Sequence, residues 1–311
     1  MRILRSLEEA HEAGTLRGGA VAVGNMDGVH LGHRRLVEVA RGLGSAAGVL
    51  TFDPHPVRVL RPERAPPLLT PLGRKLELLG GLGLAAVVVH PFDRAYAATP
   101  AAEFVARDLS SRLGVGHVVV GQDFTAGRER ARVEALRPLL AARGIALHVV
   151  DPVTADGLVV SSTKIREFVL EGNVEAAAEL LTRPYDVDAV VVRGAGRGRG
   201  FGFATANLST EQLLPGNGVY LVSARLGAGG GSGEERDGVC NVGVKPTVER
   251  AGGVVAEVHL LDFDGRDLYG AAVRVAFRRR LRDERRFPSI EALRAQIERD
   301  VESARALLER R

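Results

Sequence analysis

The stretch that decides the fold is GNMDGVHLGH, residues Gly24–His33. It follows the apolar run Ala20–Val23 and precedes Arg34–Leu43, in which apolar side chains recur at helical spacing. This order predicts a strand, a glycine-rich turn and then a helix. The three glycines of the stretch lack a Cβ atom and tolerate positive φ, so they allow the close approach of a ligand. Because the first N–H groups of a helix have no partner within it, the turn favours binding of a phosphate.

Two histidines and one acidic residue accompany the glycines. His30 and His33 are three residues apart, so at the start of a helix they share one face and can point at the same phosphate. Imidazole N–H groups there stabilise oxygens that gain charge during attack at phosphorus. A zinc site is one alternative, but it needs three or four donors and no cysteine lies nearby. Ordinary surface histidines are the other; the strand, the glycines, Asp27 and both histidines together favour the phosphate site.

Length and composition set the class of protein. A chain of 311 residues favours two domains, and 45% hydrophobic with 26% charged residues is typical of a soluble globular protein. The single cysteine, Cys240, excludes an internal disulfide and suits a reducing cytoplasm. Met1–Gly14 lacks the apolar core of a signal peptide, and no apolar run is long enough to span a bilayer. We therefore expect a cytoplasmic protein with no membrane partner.

The charge of the chain gives little support to a nucleic-acid partner. The net charge of +4 is modest and reflects arginines spread along the chain, which mildly favours anionic ligands. The run Arg278–Arg282 has acidic neighbours and no interleaved aromatic residues, so it is expected to form a solvated face. No nucleic acid is predicted as a partner.

The first half of the chain alternates short apolar runs with helical segments. The predicted strands are Ala20–Val23, Gly48–Phe52, Ala85–His90, His117–Val120 and Ala146–Val150, and the predicted helices are Leu31–Leu43, Leu72–Leu79, Ala101–Leu113 and Arg132–Arg143. Regular alternation predicts an α/β domain with a doubly wound parallel sheet, in which ligands bind beyond the carboxyl ends of the strands. The polar segments Asp53–Pro56 and Gly121–Phe124 follow two of these strands and are expected at that edge.

A second polar motif, Ser161–Arg166 with the sequence SSTKIR, closes this half. Its hydroxyl residues precede an apolar run, which indicates the N-cap of a helix. One interpretation of the motif is simply a capped helix with two exposed cations. Hydroxyls, free N–H groups and two cations together also make a cradle for a polyphosphate.

The second half predicts an antiparallel barrel. Short alternating strands are separated by turns, at Val187–Arg193, Gly218–Arg225, Gly238–Val244, Val254–Leu261 and Val273–Phe277. Ser289 then caps a long helix with an apolar stripe from Ile290 to Leu308. The glycine-rich run Gly194–Gly202 satisfies neither the dinucleotide-binding pattern nor the P-loop pattern.

These motifs resemble those of one known family. Gly24–His33 resembles the GNFDGVHLGH signature of the bacterial bifunctional riboflavin kinase/FAD synthetase, and it contains the HxGH of the nucleotidyltransferase superfamily. Thr51–Pro56 resembles that family's TFDPHP motif and Ser161–Arg166 its SSTxIR motif. The other matching blocks, in chain order, are Gly172–Val174, Arg183–Tyr185, Gly198–Asn207, Asn217–Tyr220, Asn241–Thr247 and Leu261–Gly265. The resemblance covers nearly the whole chain.

The resemblance implies a role for each group of residues. His30, His33 and Glu257 would be catalytic, with Glu257 as the base of the kinase, and Thr205 and Asn207 would hold Mg²⁺. Glu257 by itself reads as a polar residue on a half-buried strand. The nucleotide-binding residues would be Gly24, Asn25, Asp27, Gly28, Asp123, Ser162, Thr163, Lys164, Arg166, Gly198, Arg199 and Gly202, and the flavin-binding residues Phe52, Asp53, Pro54 and His55.

The resemblance also implies the reactions and the domains. Residues 184–311, a six-stranded barrel-like domain with a long final helix, would phosphorylate riboflavin to FMN with ATP. Residues 1–183 would transfer AMP from a second ATP to FMN, giving FAD and pyrophosphate. The expected ligands are therefore riboflavin, FMN, ATP and Mg²⁺.

Four departures from the family pattern leave alternatives open. Met26 stands where the family has Phe, and Thr182 where it usually has Gly. Ala204 replaces a proline beside Thr205, and Thr125–Ala126 replaces an aromatic stretch. Such changes allow a protein that keeps only one activity, or one that acts on a modified flavin. A regulator that binds flavin or nucleotide without catalysis is the third alternative, against which the presence of both histidines and Glu257 counts.

Overall fold

The computed structural model describes residues 1–44, 46–193, 205–227, 233–244, 254–263, 267–285 and 287–309. It divides the chain into two units, Met1–Ser161 and Ser162–Arg311. The domain boundary expected after Arg183 stays a prediction.

The first unit is built on a six-stranded parallel sheet with the strand order β1-β4-β3-β2-β5-β8. Its strands are β1 (Arg2–Leu4), β2 (Ala20–Val23), β3 (Ala47–Asp53), β4 (Ala86–Pro91), β5 (His117–Gly121) and β8 (Ala146–Val150). Two short hairpins, β6 (Thr125–Ala126) with β7 (Ala131–Arg132) and β9 (Thr154–Ala155) with β10 (Leu158–Val159), follow β5 and β8. All five strands predicted here are present, so the doubly wound sheet is confirmed.

Helices cover both faces of this sheet. They are α1 (Leu7–Ala13), α2 (Leu31–Gly42), α3 (Pro56–Leu60), α4 (Leu72–Gly80), α5 (Arg94–Ala97), α6 (Ala101–Glu103) and α7 (Val133–Ala141), and a π-type helix, Phe104–Leu113, continues α6. Strand β2 shows the layering, because Val21 and Val23 belong to the apolar cluster on one face and Ala20 and Ala22 to the cluster on the other. A strand covered on both faces is apolar throughout, as in a parallel sheet.

The second unit contains a closed six-stranded barrel with the order β11-β12-β15-β14-β13-β16, in which all neighbouring strands are antiparallel. The strands are β11 (Tyr185–Val192), β12 (Thr205–Ser209), β13 (Gly218–Leu226), β14 (Glu235–Val244), β15 (Val254–Leu260) and β16 (Ala272–Arg282). Two helices, α8 (Ser162–Glu171) and α9 (Val174–Leu181), precede the barrel, and α10 (Ile290–Leu308) follows it. The barrel and its final helix confirm the predicted fold class.

The arginine run differs from its prediction. Strand β16 extends five residues past Phe277, so Arg278, Arg280 and Arg282 lie within the barrel wall. Arg278 donates to the Ser223 hydroxyl at 3.0 Å, and Arg280 to the Asn217 carbonyl at 2.7 Å. Arg282 binds the buried Asp300 carboxylate of α10 through two nitrogens. The expectation of a solvated face is therefore wrong for these three arginines, because acceptors on neighbouring elements satisfy the half-buried cations, whereas Arg279 is exposed.

Helix α10 also differs in its buried positions. Its most buried residues are Gln296, Asp300 and Ala304, spaced four apart, whereas Ile290 is exposed. Two of the three are polar, since this face of the helix meets Arg282 as well as the apolar side chains of the barrel. Among the described residues, no helix is both long and apolar enough to cross a membrane.

Candidate active sites

The glycine-rich turn lies at the carboxyl edge of the parallel sheet. Strand β2, which leads into it, is flanked in the sheet by β3 and β5. The carboxyl-terminal segments of these neighbours, Phe52–His55 at the end of β3 and the turn containing Asp123 after β5, therefore lie on either side of it, as predicted. The carbonyl of Val160, one residue before the SSTKIR motif, also lies close to Gly32.

The backbone of the turn is strained at two buried residues. Met26 and Val29 have φ angles of 52° and 44°, and both side chains are fully buried in the apolar core. Such angles in residues other than glycine cost free energy and persist where the surroundings hold them, which is common in functional sites. Gly28 also has a positive φ, of 89°, but Gly24 and Gly32 do not. Of the three glycines, only Gly28 therefore uses the positive φ that all three tolerate.

Gly32 is required for a different reason. A Cβ atom built at Gly32 would lie 3.1 Å from the His30 ring, which is tighter than an ordinary carbon contact. A Cβ at Gly24 would meet only the end of the Met26 side chain, at 3.5 Å. The glycine between the two histidines thus leaves room for an imidazole to lie flat against the helix.

Asp27 connects the turn to the segment before α4. Its carboxylate is 2% exposed and accepts hydrogen bonds from the backbone N–H groups of Leu69 and Thr70. The Thr70 hydroxyl in turn accepts the N–H of Gly28 at 2.9 Å. These contacts give Asp27 a role in shaping the turn; contact of Asp27 with a nucleotide stays a prediction.

The carbonyl oxygen of Asn25 receives two donors from within the protein. The Thr51 hydroxyl donates to it at 3.1 Å, and the Lys75 ammonium at 2.8 Å. Lys75 is 5% exposed; burial lowers its pKa, while Asp27 and Asp53 act in the opposite direction. Lys75 was not predicted as a site residue. The available signal was a lysine on the apolar face of a predicted helix.

His30 and His33 form a stacked pair, as their spacing predicted. His30 is the N-cap of α2, and its Nδ1 accepts the His33 N–H at 3.4 Å. The two ring centroids are 3.7 Å apart. Burial, and then the nearby His30 and Lys75, hold the pKa of His33 well below its ordinary value, so His33 is uncharged at neutral pH. Its Nδ1 is buried without a hydrogen-bond partner in the described part of the chain.

An aromatic cluster lies at the end of β3. The Phe52 ring packs edge-on against Phe92 with centroids 5.6 Å apart, and lies 6.0 Å from Tyr96. The Tyr96 hydroxyl donates to the fully buried Asp108 at 3.1 Å, which fixes the ring. Phe92 and Tyr96 were missed in the sequence, because their proximity to Phe52 depends on the pairing of β3 with β4.

The other predicted residues of this edge are more exposed. Asp53 and Pro54 are exposed, and His55 caps α3 by accepting the Val57 N–H at Nδ1. Asp123 is exposed in the turn after β5. Ala126, where the family pattern has an aromatic stretch, is buried against the core.

The SSTKIR motif continues into the second unit. Ser162, Thr163, Lys164 and Arg166 lie in the first turns of α8, which confirms the predicted helix. The Lys164 ammonium binds the Glu167 carboxylate at 2.5 Å and lies over the Phe168 ring. This carboxylate raises the pKa of Lys164.

The barrel brings together the predicted kinase residues. Asn207 on β12 pairs directly with Glu257 on β15, and Thr205 pairs with His259. Paired residues on neighbouring strands point to the same face of a sheet, so Thr205, Asn207 and Glu257 share one face. Asn241 on β14 pairs with Glu257 from the other side. The predicted residues Gly198, Arg199 and Gly202, and the departure at Ala204, lie outside the described residues.

Asn241 was not predicted as a site residue. The available signal was an amide side chain between Cys240 and Val242, within the otherwise nonpolar stretch Gly238–Val244. Burial, with a further contribution from the Glu257 charge, raises the pKa of the Cys240 thiol, so this cysteine is protonated at neutral pH.

Comparison with known proteins gives a consistent result for both units. The FAD synthetase family model matches residues 13–164, and the riboflavin kinase family model matches residues 181–308. The bifunctional riboflavin kinase/FMN adenylyltransferase of Pseudomonas fluorescens is 39% identical over 99% of this chain and 97% of its own length. The protein of the same name from Bacillus subtilis is 36% identical over 91% of this chain and 90% of its own length.

A solved structure also resembles nearly the whole chain. A Streptococcus pneumoniae protein described as a macrolide-efflux protein superimposes with a TM-score of 0.83 and 28% identity, covering 97% of this chain and 98% of that one. The full-length similarity to the curated relatives and the two family matches agree with the sheet unit and the barrel unit found here. The chain therefore belongs to the bifunctional riboflavin kinase/FMN adenylyltransferase family.

Proposed function

We propose that this chain makes FAD from riboflavin in two steps, each at its own site. The barrel phosphorylates riboflavin to FMN with ATP, and the sheet unit transfers AMP from a second ATP to FMN. The observation that carries this proposal is that each unit assembles the residue types that its reaction requires: stacked histidines at a helix N-terminus in one, and a carboxylate paired with an amide in the other.

In the adenylyl transfer, an oxygen of the FMN phosphate attacks the α-phosphorus of ATP. The bond from that phosphorus to the bridging oxygen breaks, and pyrophosphate leaves. The FMN phosphate is already anionic, so no base is needed. The N-terminus of α2 and the imidazole N–H groups of His30 and His33 stabilise the charge that grows on the α-phosphate oxygens. Gly24, Asn25 and Gly28 form the backbone seat, which Asp27 holds in shape.

The flavin and the rest of ATP occupy the two sides of this turn. The aromatic cluster of Phe52, Phe92 and Tyr96 offers apolar ring surface to the isoalloxazine ring, beside Asp53, Pro54 and His55. Asp123, on the opposite side of the turn, is the acceptor for ATP hydroxyl or amino groups. The hydroxyls and cations of α8 at positions 162, 163, 164 and 166 are of the types that bind a polyphosphate, and the family resemblance assigns them to nucleotide binding. Lys164 exchanges its ion pair with Glu167 for a phosphate.

In the kinase reaction, Glu257 accepts the proton of the ribityl hydroxyl of riboflavin as that oxygen attacks the γ-phosphorus of ATP. The bond from that phosphorus to the bridging oxygen breaks, and ADP leaves. The Thr205 hydroxyl and the Asn207 amide carbonyl are hard neutral oxygens on the same face, which fits a magnesium site. Mg²⁺ bound there would neutralise phosphate charge. Gly198, Arg199 and Gly202, which precede Thr205 in the sequence, are the proposed contacts to the ATP phosphates in this reaction.

Chromatography of riboflavin incubated with ATP, Mg²⁺ and the purified chain tests this function. Formation of FMN and then FAD supports both activities; FMN alone would show that only the kinase is retained, and neither product would favour a binding protein or a modified substrate. His33→Ala assigns the second step to its site. This variant is expected to slow FAD formation by about 100- to 1000-fold and to leave FMN formation unchanged. An undiminished rate of FMN conversion would contradict the assignment.

A further inference from the structure

We propose that Lys75 is a positioning residue of the adenylyl-transfer site. Its ammonium group holds the glycine-rich turn through the Asn25 carbonyl, and its positive charge acts on His33. The activity measured in its test rests on the proposed function above, but a second measurement is independent of that activity.

The use of lysine in this chain is the first observation. Of its 42 lysine and arginine residues, only three are lysines, at positions 75, 164 and 245. A chain that uses arginine almost everywhere keeps lysine at position 75, where the side chain is buried. An arginine there would bring a larger planar group with five donors to satisfy, whereas an ammonium has three. The site therefore has a specific need for the compact charge.

The geometry of the turn is the second observation. The segment that leads into α4 fastens the turn at Asp27 and Gly28, through Leu69 and Thr70. Lys75, one turn into α4, donates a hydrogen bond to the Asn25 carbonyl, so the turn is held at a third residue. The turn carries positive φ angles at two residues other than glycine, so it needs such external contacts to keep its shape. The Lys75 bond is made by a cation, so it belongs, with the bonds that Asp27 accepts, to the stronger class of charge-assisted hydrogen bonds.

The charges around the two histidines are the third observation. The charges of His30 and Lys75 act on His33 of α2, and the charges of Asp27 and Asp53 act on Lys75 of α4. Burial has the largest effect on the pKa of His33, and the positive charge of Lys75 lowers it further. An uncharged His33 keeps a single ring N–H, which it can give to a phosphate oxygen. Without the Lys75 charge, His33 would gain its second proton at a higher pH.

Three variants of the full-length chain separate the two roles of Lys75. Lys75→Gln keeps an N–H donor for Asn25 but removes the charge, and Lys75→Met removes both. Arg74→Gln, at the preceding position of α4, removes a cation that pairs with Glu77 and serves as the control. Each variant is examined by NMR titration of the His33 ring and by the pH profile of FMN conversion to FAD, with FMN formation as the check on folding.

We expect Lys75→Gln to raise the pKa of His33 in the NMR titration. The acid limb of FAD formation should move to higher pH with it, because the uncharged ring is lost sooner as the pH falls. Lys75→Met should show the same shift and also slow turnover by about 100-fold, the scale of a misplaced catalytic group. Arg74→Gln should change neither quantity.

Two results would overturn the proposal. An unchanged pKa of His33 in Lys75→Gln would show that Lys75 has no electrostatic role. Conversion of FMN to FAD at the wild-type rate in Lys75→Met would show that it has no positioning role. If Lys75→Met does not fold, Lys75→Gln still decides through the titration. If the wild-type chain makes no FAD, the proposed function fails. The NMR titration still tests whether the Lys75 charge lowers the pKa of His33.

Discussion

Asn207 and Glu257 lie directly opposite each other on the antiparallel strands β12 and β15. Asn241 faces the same glutamate from β14, so three polar side chains form one row across the barrel wall. This row depends on strand register, because a slip of one residue would turn Asn207 to the other face of the sheet. The proposed base and a proposed metal ligand are thus placed together by backbone pairing, across 50 positions of the chain.

Gly32 is expected to control the position of His30. Gly32→Ala should slow FAD formation from FMN by about 10-fold, because its Cβ would press on the His30 ring from 3.1 Å. FMN formation should not change. The matched control is Gly42→Ala at the other end of α2, where a Cβ meets nothing within 4 Å. Steady-state kinetics of both variants check this, and equal rates of FAD formation would contradict the steric role of Gly32.

Thr182 should be a site of strain at the end of α9. It has a φ of 59° and is the left-handed C-cap of the helix, a position that favours glycine and is unusual for a β-branched residue. Thr182→Gly is expected to raise the free energy of unfolding by about 0.5–1 kcal/mol, since the left-handed strain exceeds the entropy cost of glycine. Urea unfolding measures the change. Thr182→Ala keeps the Cβ atom and should give no such gain; a gain of equal size would show that backbone conformation is not the cause.

The histidine pair His117 and His148 should make the protein less stable in acid. Their ring nitrogens are 3.1 Å apart, and burial followed by the His117 charge lowers the pKa of His148. Since the folded pKa lies below the unfolded value, the unfolded chain binds more protons, and stability falls as the pH drops below about 6.5. Thermal unfolding across pH measures this loss. His148→Gln should reduce the pH dependence, and an unchanged slope would exclude the pair as a contributor.

The helices α8 and α9 should stabilise the barrel. The Val169 carbonyl accepts the Gly216 N–H at 2.9 Å, and Arg280 donates to the Glu171 carbonyl at 3.1 Å. A fragment of residues 162–311 is therefore expected to fold, to phosphorylate riboflavin and to unfold at a higher urea concentration than residues 184–311. Equal midpoints would show that the barrel does not need the two helices and would favour the boundary predicted after Arg183.

The elements that the sequence predicts well are those with local patterns. The strand, turn and helix around Gly24–His33 follow from adjacent residues, and the alternation of strands and helices fixes the sheet. Thr182 also shows how a departure from a family pattern can mark a left-handed position.

The features that the sequence did not reveal depend on distant partners. Strand β12, Thr205–Ser209, is short and polar and exists because β11 and β15 pair with it on both sides. Lys75 meets Asn25, 50 positions away, only after α4 packs beside the turn. The sequence around Arg282 indicates a surface cation, whereas in the fold its guanidinium binds Asp300 of α10. Such contacts arise from packing and register, which no local pattern contains.

The role of Glu257 is the central claim, and one pair of variants tests it most directly. Glu257→Gln keeps the shape of the side chain but removes its basicity, so riboflavin phosphorylation should slow by about 100-fold or more with little change in riboflavin affinity. Conversion of supplied FMN to FAD should be unchanged. His259→Gln, two residues along the same strand face, should have a much milder effect. If both variants slow FMN formation equally, Glu257 is only a structural residue of β15 and the account of the kinase site is wrong.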